Sequence, residues 1–190
     1  MSVEHVEVLV EEPSMEAALR ELLPKILMEL SFQIYPSQGK VDLLQHLPDR
    51  LRGYAGWLPK NWRVVVVVDR DDDDCLKLKG NLEQMARAAG LMTRARASGK
   101  PSSVINRLAI EELEAWYFGD WDAVKAAYPR VSVKIPQQAK YREPDAIAGG
   151  TWETFERILK KAGYFKTGLR KYRGCASHCV IYEPYPQSIT

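Results

Sequence analysis

Short apolar runs alternate along the chain with longer stretches in which apolar residues recur every three to four positions, a pattern of strands separated by helices. Residues 5–10 alternate apolar and polar side chains and stop at Glu11-Glu12-Pro13, which predicts a strand ending in a turn. A helix follows, with Ser14 as its N-cap and Ala17, Ala18, Leu19, Leu22, Leu23, Ile26 and Leu27 on one apolar face. Pro24 falls inside that run, so a kink or a division is expected there. Residues 32–35 read as a short strand and 41–51 as a second helix, with Gly53, Gly56 and Pro59 marking the loop beyond it.

Five consecutive valines at 64–68 give the clearest signal, because a strand apolar at every position fits the centre of a parallel sheet buried on both faces. Asp69 stands at its carboxyl end. Helical spacing returns over 74–89 with Gly90 as C-cap, and residues 91–97 predict another strand. Beyond a polar loop at 98–103, residues 104–110 fit either a further strand or the lead into a helix over 111–118. A short helix at 122–128, a loop rich in Pro and Gln, and an amphipathic helix at 151–162 complete the pattern.

Strands alternating with helices predict an α/β fold with a mostly parallel sheet flanked by helices. A chain of 190 residues, 46% hydrophobic, can build one full core but not two large domains. One domain over residues 1–171 is expected, with a small helical C-terminal extension and an irregular tail at 172–190. No run of eighteen apolar residues occurs, and the first fourteen residues carry acids where a secretory leader needs basic and then apolar residues. The expectation is a cytoplasmic protein without membrane contact. Cys75, Cys175 and Cys179 are odd in number and lack paired spacing, which predicts reduced thiols rather than disulfides or a zinc site.

The formal net charge is only +2, but the charges are segregated. Five aspartates crowd into residues 69–74, whereas Arg94, Arg96, Lys100 and Arg107 lie in a stretch without acids and seven basic residues fall between 157 and 173. An acidic focus flanked by basic segments suits a metal ion together with a polyanion. Glu11 after the first strand and Asp69 and Asp71 after the valine strand would converge at the carboxyl ends of a parallel sheet, where open α/β sheets place their ligands. On an extended turn the Asp-x-Asp pair would put both carboxylates on one side, offering hard oxygen ligands to Mg2+ or Mn2+. Such a site neutralises phosphate charge and lowers the pKa of a bound water. Asp72, Asp73 and Asp74 read as a solvated loop and helix start, where acids complement the dipole.

On a helix over 111–118, Glu111 and Glu114 would share a face while Leu113, Trp116 and Tyr117 cover another, with Trp116 in the core. That helix is either a surface helix with its acids outward or the source of a further metal ligand, Glu114. The basic residues Arg94, Arg96, Lys100 and Arg107, and separately Lys166, Arg170, Lys171 and Arg173, are candidates to track a phosphate backbone.

At these residues the chain resembles the TOPRIM-like proteins gathered in domain-of-unknown-function family 4276, and more distantly the TOPRIM domains of overcoming-lysogenization-defect nucleases, topoisomerases and primases. Val8 to Glu16 is similar to that family's strand and Glu-Gly-Pro-Thr-Glu-like turn, with Glu11 at the TOPRIM glutamate. Val66 to Asp71 is similar to its Asp-x-Asp motif, and Glu112-Leu113-Glu114-Ala115-Trp116 to its Glu-Leu-Glu-Ala-Trp helix. Glu12 stands where TOPRIM turns usually carry Gly, and the tail from Tyr172 lacks the Asn- and Ser-rich ending of the family. The resemblance implies a TOPRIM-like, Rossmann-like fold and a Mg2+- or Mn2+-dependent nuclease acting on nucleic acid, DNA ahead of RNA, beside an ATPase partner in bacterial defence against phage. Glu11, Asp69 and Asp71 are then the catalytic and metal-binding set. The alternative is a non-catalytic nucleic-acid- or nucleotide-binding regulatory subunit of an ATPase complex, kept open because no Lys or His partner of the carboxylates is evident in the sequence.

Overall fold

The computed structural model describes residues 2–165. Strand β1 (His5–Val10) turns Val6, Val8 and Val10 to one face and Glu7 and Leu9 to the other, all of them buried. It lies between β2 (Ser31–Pro36) and β3 (Trp62–Asp69), and β4 (Val104–Ala109) completes an all-parallel sheet in the order β2-β1-β3-β4. His5 stands opposite both Ser31 and Trp62, Val10 opposite Val67, and Asp69 opposite Ala109. The chain runs outward from β1 to β2, then returns past β1 to β3. Connections leaving the carboxyl ends of β1 and β3 therefore part to opposite sides, and the crevice between them is the place where such sheets take ligands.

Helix α1 (Pro13–Leu27) packs on β1 and β2. Its N-cap is Glu12, with Pro13 at the first helical position, where a missing N–H costs nothing. Ser14, expected as the cap, is already inside the helix and donates its hydroxyl to the Glu12 carboxylate. Pro24 lies within the helix, which continues to Leu27.

Helices α2 (Lys40–Trp57) and α3 (Cys75–Ala88) share one core with the sheet. Leu43, Leu47, Leu51 and Tyr54 of α2, and Leu78, Leu82 and Ala86 of α3, pack with Leu9, Val64, Val66, Val68 and Val104. Each leucine so buried contributes about 1.5–3 kcal/mol. The burial of Leu51 and Tyr54 explains why α2 runs through Gly53 and Gly56, which the sequence pattern placed in a loop. Buried Glu7 on the same face is satisfied by Tyr54 Oη, which donates to Oε2 at 2.7 Å, and by His5 Nε2 at 2.8 Å from Oε1.

Residues 104–109 form the fourth strand, which resolves one of the open alternatives. The strand expected at 91–97 is absent, apart from a single bridge between Thr93 and Val104. Gly90, at φ +79°, ends the preceding helix, and consecutive turns follow, with Arg96 N–H bonded to the Thr93 carbonyl and Ala97 N–H to that of Arg94. Alternating Arg and Ala offers little apolar surface to a sheet, whereas Val104, Asn106 and Ala109 are buried.

The chain divides after Ala109, and a second compact unit begins at Ile110. There α4 (Leu113–Gly119), α5 (Trp121–Ala127), two short 3-10 turns (Ala139–Tyr141 and Pro144–Ala146) and α6 (Thr151–Lys161) gather an aromatic core of Phe118, Trp121, Tyr128, Tyr141 and Phe155. The Phe118 and Trp121 rings stack with centroids 5.6 Å apart. The Glu112 carboxylate accepts from Thr151 Oγ1 and from the Trp152 N–H, both at 3.0 Å, and so holds the start of α6. Trp116, expected in the core, is 39% exposed, because α4 buries Leu113, Ala115 and Phe118 instead. Among the described residues no helix is long and apolar enough to cross a membrane.

Candidate functional site

Glu11 follows directly on β1, and its side chain is 9% exposed. Its Oε2 accepts the backbone N–H of Asp69 at 3.1 Å, a bond that joins the carboxyl ends of the two central strands. Asp69, 5% exposed, is the last residue of β3. Strand alternation sends its side chain to the face opposite Leu9 and Val68, so it meets Glu11 through its backbone.

The Asp-x-Asp segment is not extended. Asp71 has φ +48°, a left-handed conformation that aspartate tolerates, and Asp73 N–H bonds to the Arg70 carbonyl at 3.0 Å to close a tight turn. The turn brings Asp71 and Asp73 toward α2. There Lys40 Nζ lies 2.7 Å from Asp71 Oδ2, 2.8 Å from Asp73 Oδ2 and 3.1 Å from the Arg70 carbonyl. Asp74 is the N-cap of α3, accepting from Lys77 N–H at 2.8 Å, which fits the expected helix-start role.

Gly39 places Lys40. With φ +107° it adopts a backbone open to glycine, and its N–H donates to the Glu11 carbonyl at 2.9 Å. The first turn of α2 is thereby fastened beside the end of β1. Lys40 and Asp73 were not identified from the sequence. The available signal was the Gly39-Lys40 step at a helix start, directly after a strand that neighbours β1.

Burial, and then the negative charge of Asp71, push the Glu11 carboxyl up to about 7, against the pull of Lys40 and of the Asp69 N–H. Burial works to lower the Lys40 pKa, but hydrogen bonds to Asp71 and Asp73 outweigh it and hold the ammonium above its usual value. Lys40 is therefore charged at neutral pH, while Glu11 exchanges its proton there. Glu11, Asp69 and Asp71 each carry carboxylate oxygens, the donor class that a hard divalent cation takes, and a cation near Glu11 would offset the negative charge of Asp71 that adds to the effect of burial. Among the described residues no group of three or more His, Cys, Asp or Glu stands in metal-ligating geometry.

Three of the basic candidates lie at the other end of the sheet. Arg94, Arg96 and Lys100 are exposed on the segment before β4, and Thr93 and Arg94 join that strand at Val104, which pairs with Val64 near the beginning of β3. The fold thus carries them to the amino end of the sheet, away from Glu11. Arg107 is exposed on β4 itself, opposite Val67. Glu114, 7% exposed, belongs to α4 in the second unit. Glu111, at φ +61°, precedes the helix, so it and Glu114 do not share a helical face. Lys166, Arg170, Lys171 and Arg173, together with Cys175, His178, Cys179 and the tail at 172–190, lie outside the described residues.

No curated protein and no solved structure matches the chain. A family model, "Domain of unknown function (DUF4276)", matches residues 10–176, a span that contains both Glu11 and the Asp69–Asp73 turn. The chain belongs to the DUF4276 family.

Proposed function

We propose that the Glu11, Asp69 and Asp71 site serves a TOPRIM-like, Mg2+- or Mn2+-dependent nuclease reaction on nucleic-acid phosphodiesters, in bacterial defence beside an ATPase partner. The observation that carries this reading is buried Glu11, set at the β1/β3 crevice, fixed by the Asp69 N–H and raised to about 7 by burial and Asp71. A cation would offset the negative charge of Asp71 that adds to the effect of burial. The bound metal would supply neutralisation of phosphate charge and a water of lowered pKa. Glu11 would serve as general base or as a shared ligand, and Asp69 and Asp71 would hold the cation.

A second reading, a non-catalytic nucleic-acid- or nucleotide-binding subunit of an ATPase complex, draws on Lys40. Its ammonium already pairs with both Asp71 and Asp73 and offsets one of their two charges, an arrangement that requires no chemistry to account for it. Calorimetric titration of Mg2+ and Mn2+ into wild-type protein and the Asp69→Ala, Asp71→Ala double variant, followed by incubation with plasmid and single-stranded DNA, separates the readings. The nuclease proposal expects binding and cleavage that both vanish in the variant. Binding without cleavage favours the regulatory subunit, and a folded wild-type protein that binds neither metal overturns the site.

A further inference from the structure

We propose that Lys40 is the internal counter-ion of this site: its ammonium holds Asp71 and Asp73 until a divalent cation displaces it, and the released side chain then contacts the substrate phosphate. The inference rests on the metal-dependent reading above and adds to it a residue and an order of events. The ammonium lies among three oxygens, at 2.7 Å from Asp71, 2.8 Å from Asp73 and 3.1 Å from the Arg70 carbonyl, and its side chain is only 15% exposed. Those partners are hard oxygen donors, the class that binds Mg2+, and Asp71 is shared with the proposed metal set. A magnesium ion holds its ligands at about 2.0–2.1 Å, so an ion that takes Asp71 Oδ2 competes with the ammonium for that oxygen.

The backbone makes displacement a local event. Gly39 ties the start of α2 to the Glu11 carbonyl, which keeps the Lys40 Cα beside the crevice, while four rotatable methylenes let the ammonium swing without moving the helix. An ammonium freed at the mouth of an acidic crevice is the point charge that a phosphate requires. Lys40 would thus offset part of the acids' charge without metal and contribute to phosphate binding once metal is present.

Two measurements test this on the full chain. Calorimetry of Mn2+ at pH 8 compares wild type with Lys40→Met and Lys40→Gln, each checked for an unchanged melting transition. Both variants are expected to bind Mn2+ about tenfold more tightly, the effect of removing one competing ion pair. In the presence of Ca2+, they should bind a phosphorothioate single-stranded oligonucleotide with a salt slope smaller by about one. Equal or weaker Mn2+ affinity in both folded variants, beside a wild type that binds, overturns the counter-ion; absence of Mn2+ binding in wild type and variants alike overturns the metal reading itself. The wild-type protein supplies an independent readout, because the hydrogen-bonded Lys40 ammonium should give a 15N resonance that disappears on Mg2+ saturation. A resonance that persists in metal-saturated protein overturns displacement.

Discussion

Glu11 shows how one side chain couples stability to chemistry. An acid whose pKa is higher in the folded state favours the fold below its unfolded value, here 4.5, and gives up that contribution as the pH rises through about 7. The shift corresponds to about 3 kcal/mol. The advantage of Glu11→Gln over wild type should therefore grow by about that amount between pH 4.5 and pH 8, as measured by urea denaturation without metal. A difference that stays constant across this range would mean that Glu11 is solvated. Glu11 and Asp69 were legible in the sequence because each ends an apolar strand, and strand ends are fixed by the hydrophobic pattern. Lys40 was not, because its position depends on a single positive φ at Gly39 and on which strand β2 adjoins, and neither is a property of the local pattern.

At the scale of elements, the valine run was read correctly as a central strand, since only a position covered on both faces accepts five apolar residues in succession. Glycine proved a weaker guide. Gly53 and Gly56 signal a break, yet the contacts of Leu51 and Tyr54 with the sheet carry α2 past both. Both glycines are exposed, and an added Cβ would meet nothing within 4 Å. Gly53→Ala and Gly56→Ala should each raise unfolding free energy by about 0.5–1 kcal/mol in chemical denaturation, the helix-propensity difference between the two residues. A loss of stability in either would place that residue outside a regular helix. The strand expected at 91–97 failed for the opposite reason: its alternation was real, but alanines and arginines bring too little to bury, and the sheet edge went to residues 104–109.

At the scale of the first unit, the basic segment of Arg94 to Lys100 does not come to lie beside the acids. Val64 and Asp69 stand at opposite ends of the described β3 pairing with β4, about 17 Å apart at strand rise. The Arg94 to Lys100 segment joins the sheet at the Val64 end, roughly two Debye lengths from the acids at physiological salt. Replacing Arg94, Arg96 and Lys100 together with alanine should leave Mn2+ affinity within about twofold of wild type by calorimetry; a larger change would require the segment to reach Glu11. The bond from Asp69 N–H to Glu11 has a further consequence, for the order of folding. Its partners are 58 residues apart in sequence, so the chain must close that loop before either gains from the contact. On a nascent chain that has not yet delivered β3, Glu11 is an ordinary solvated acid; only strand closure gives it a pKa near neutrality, which makes its protonation a natural reporter of the moment β3 joins β1.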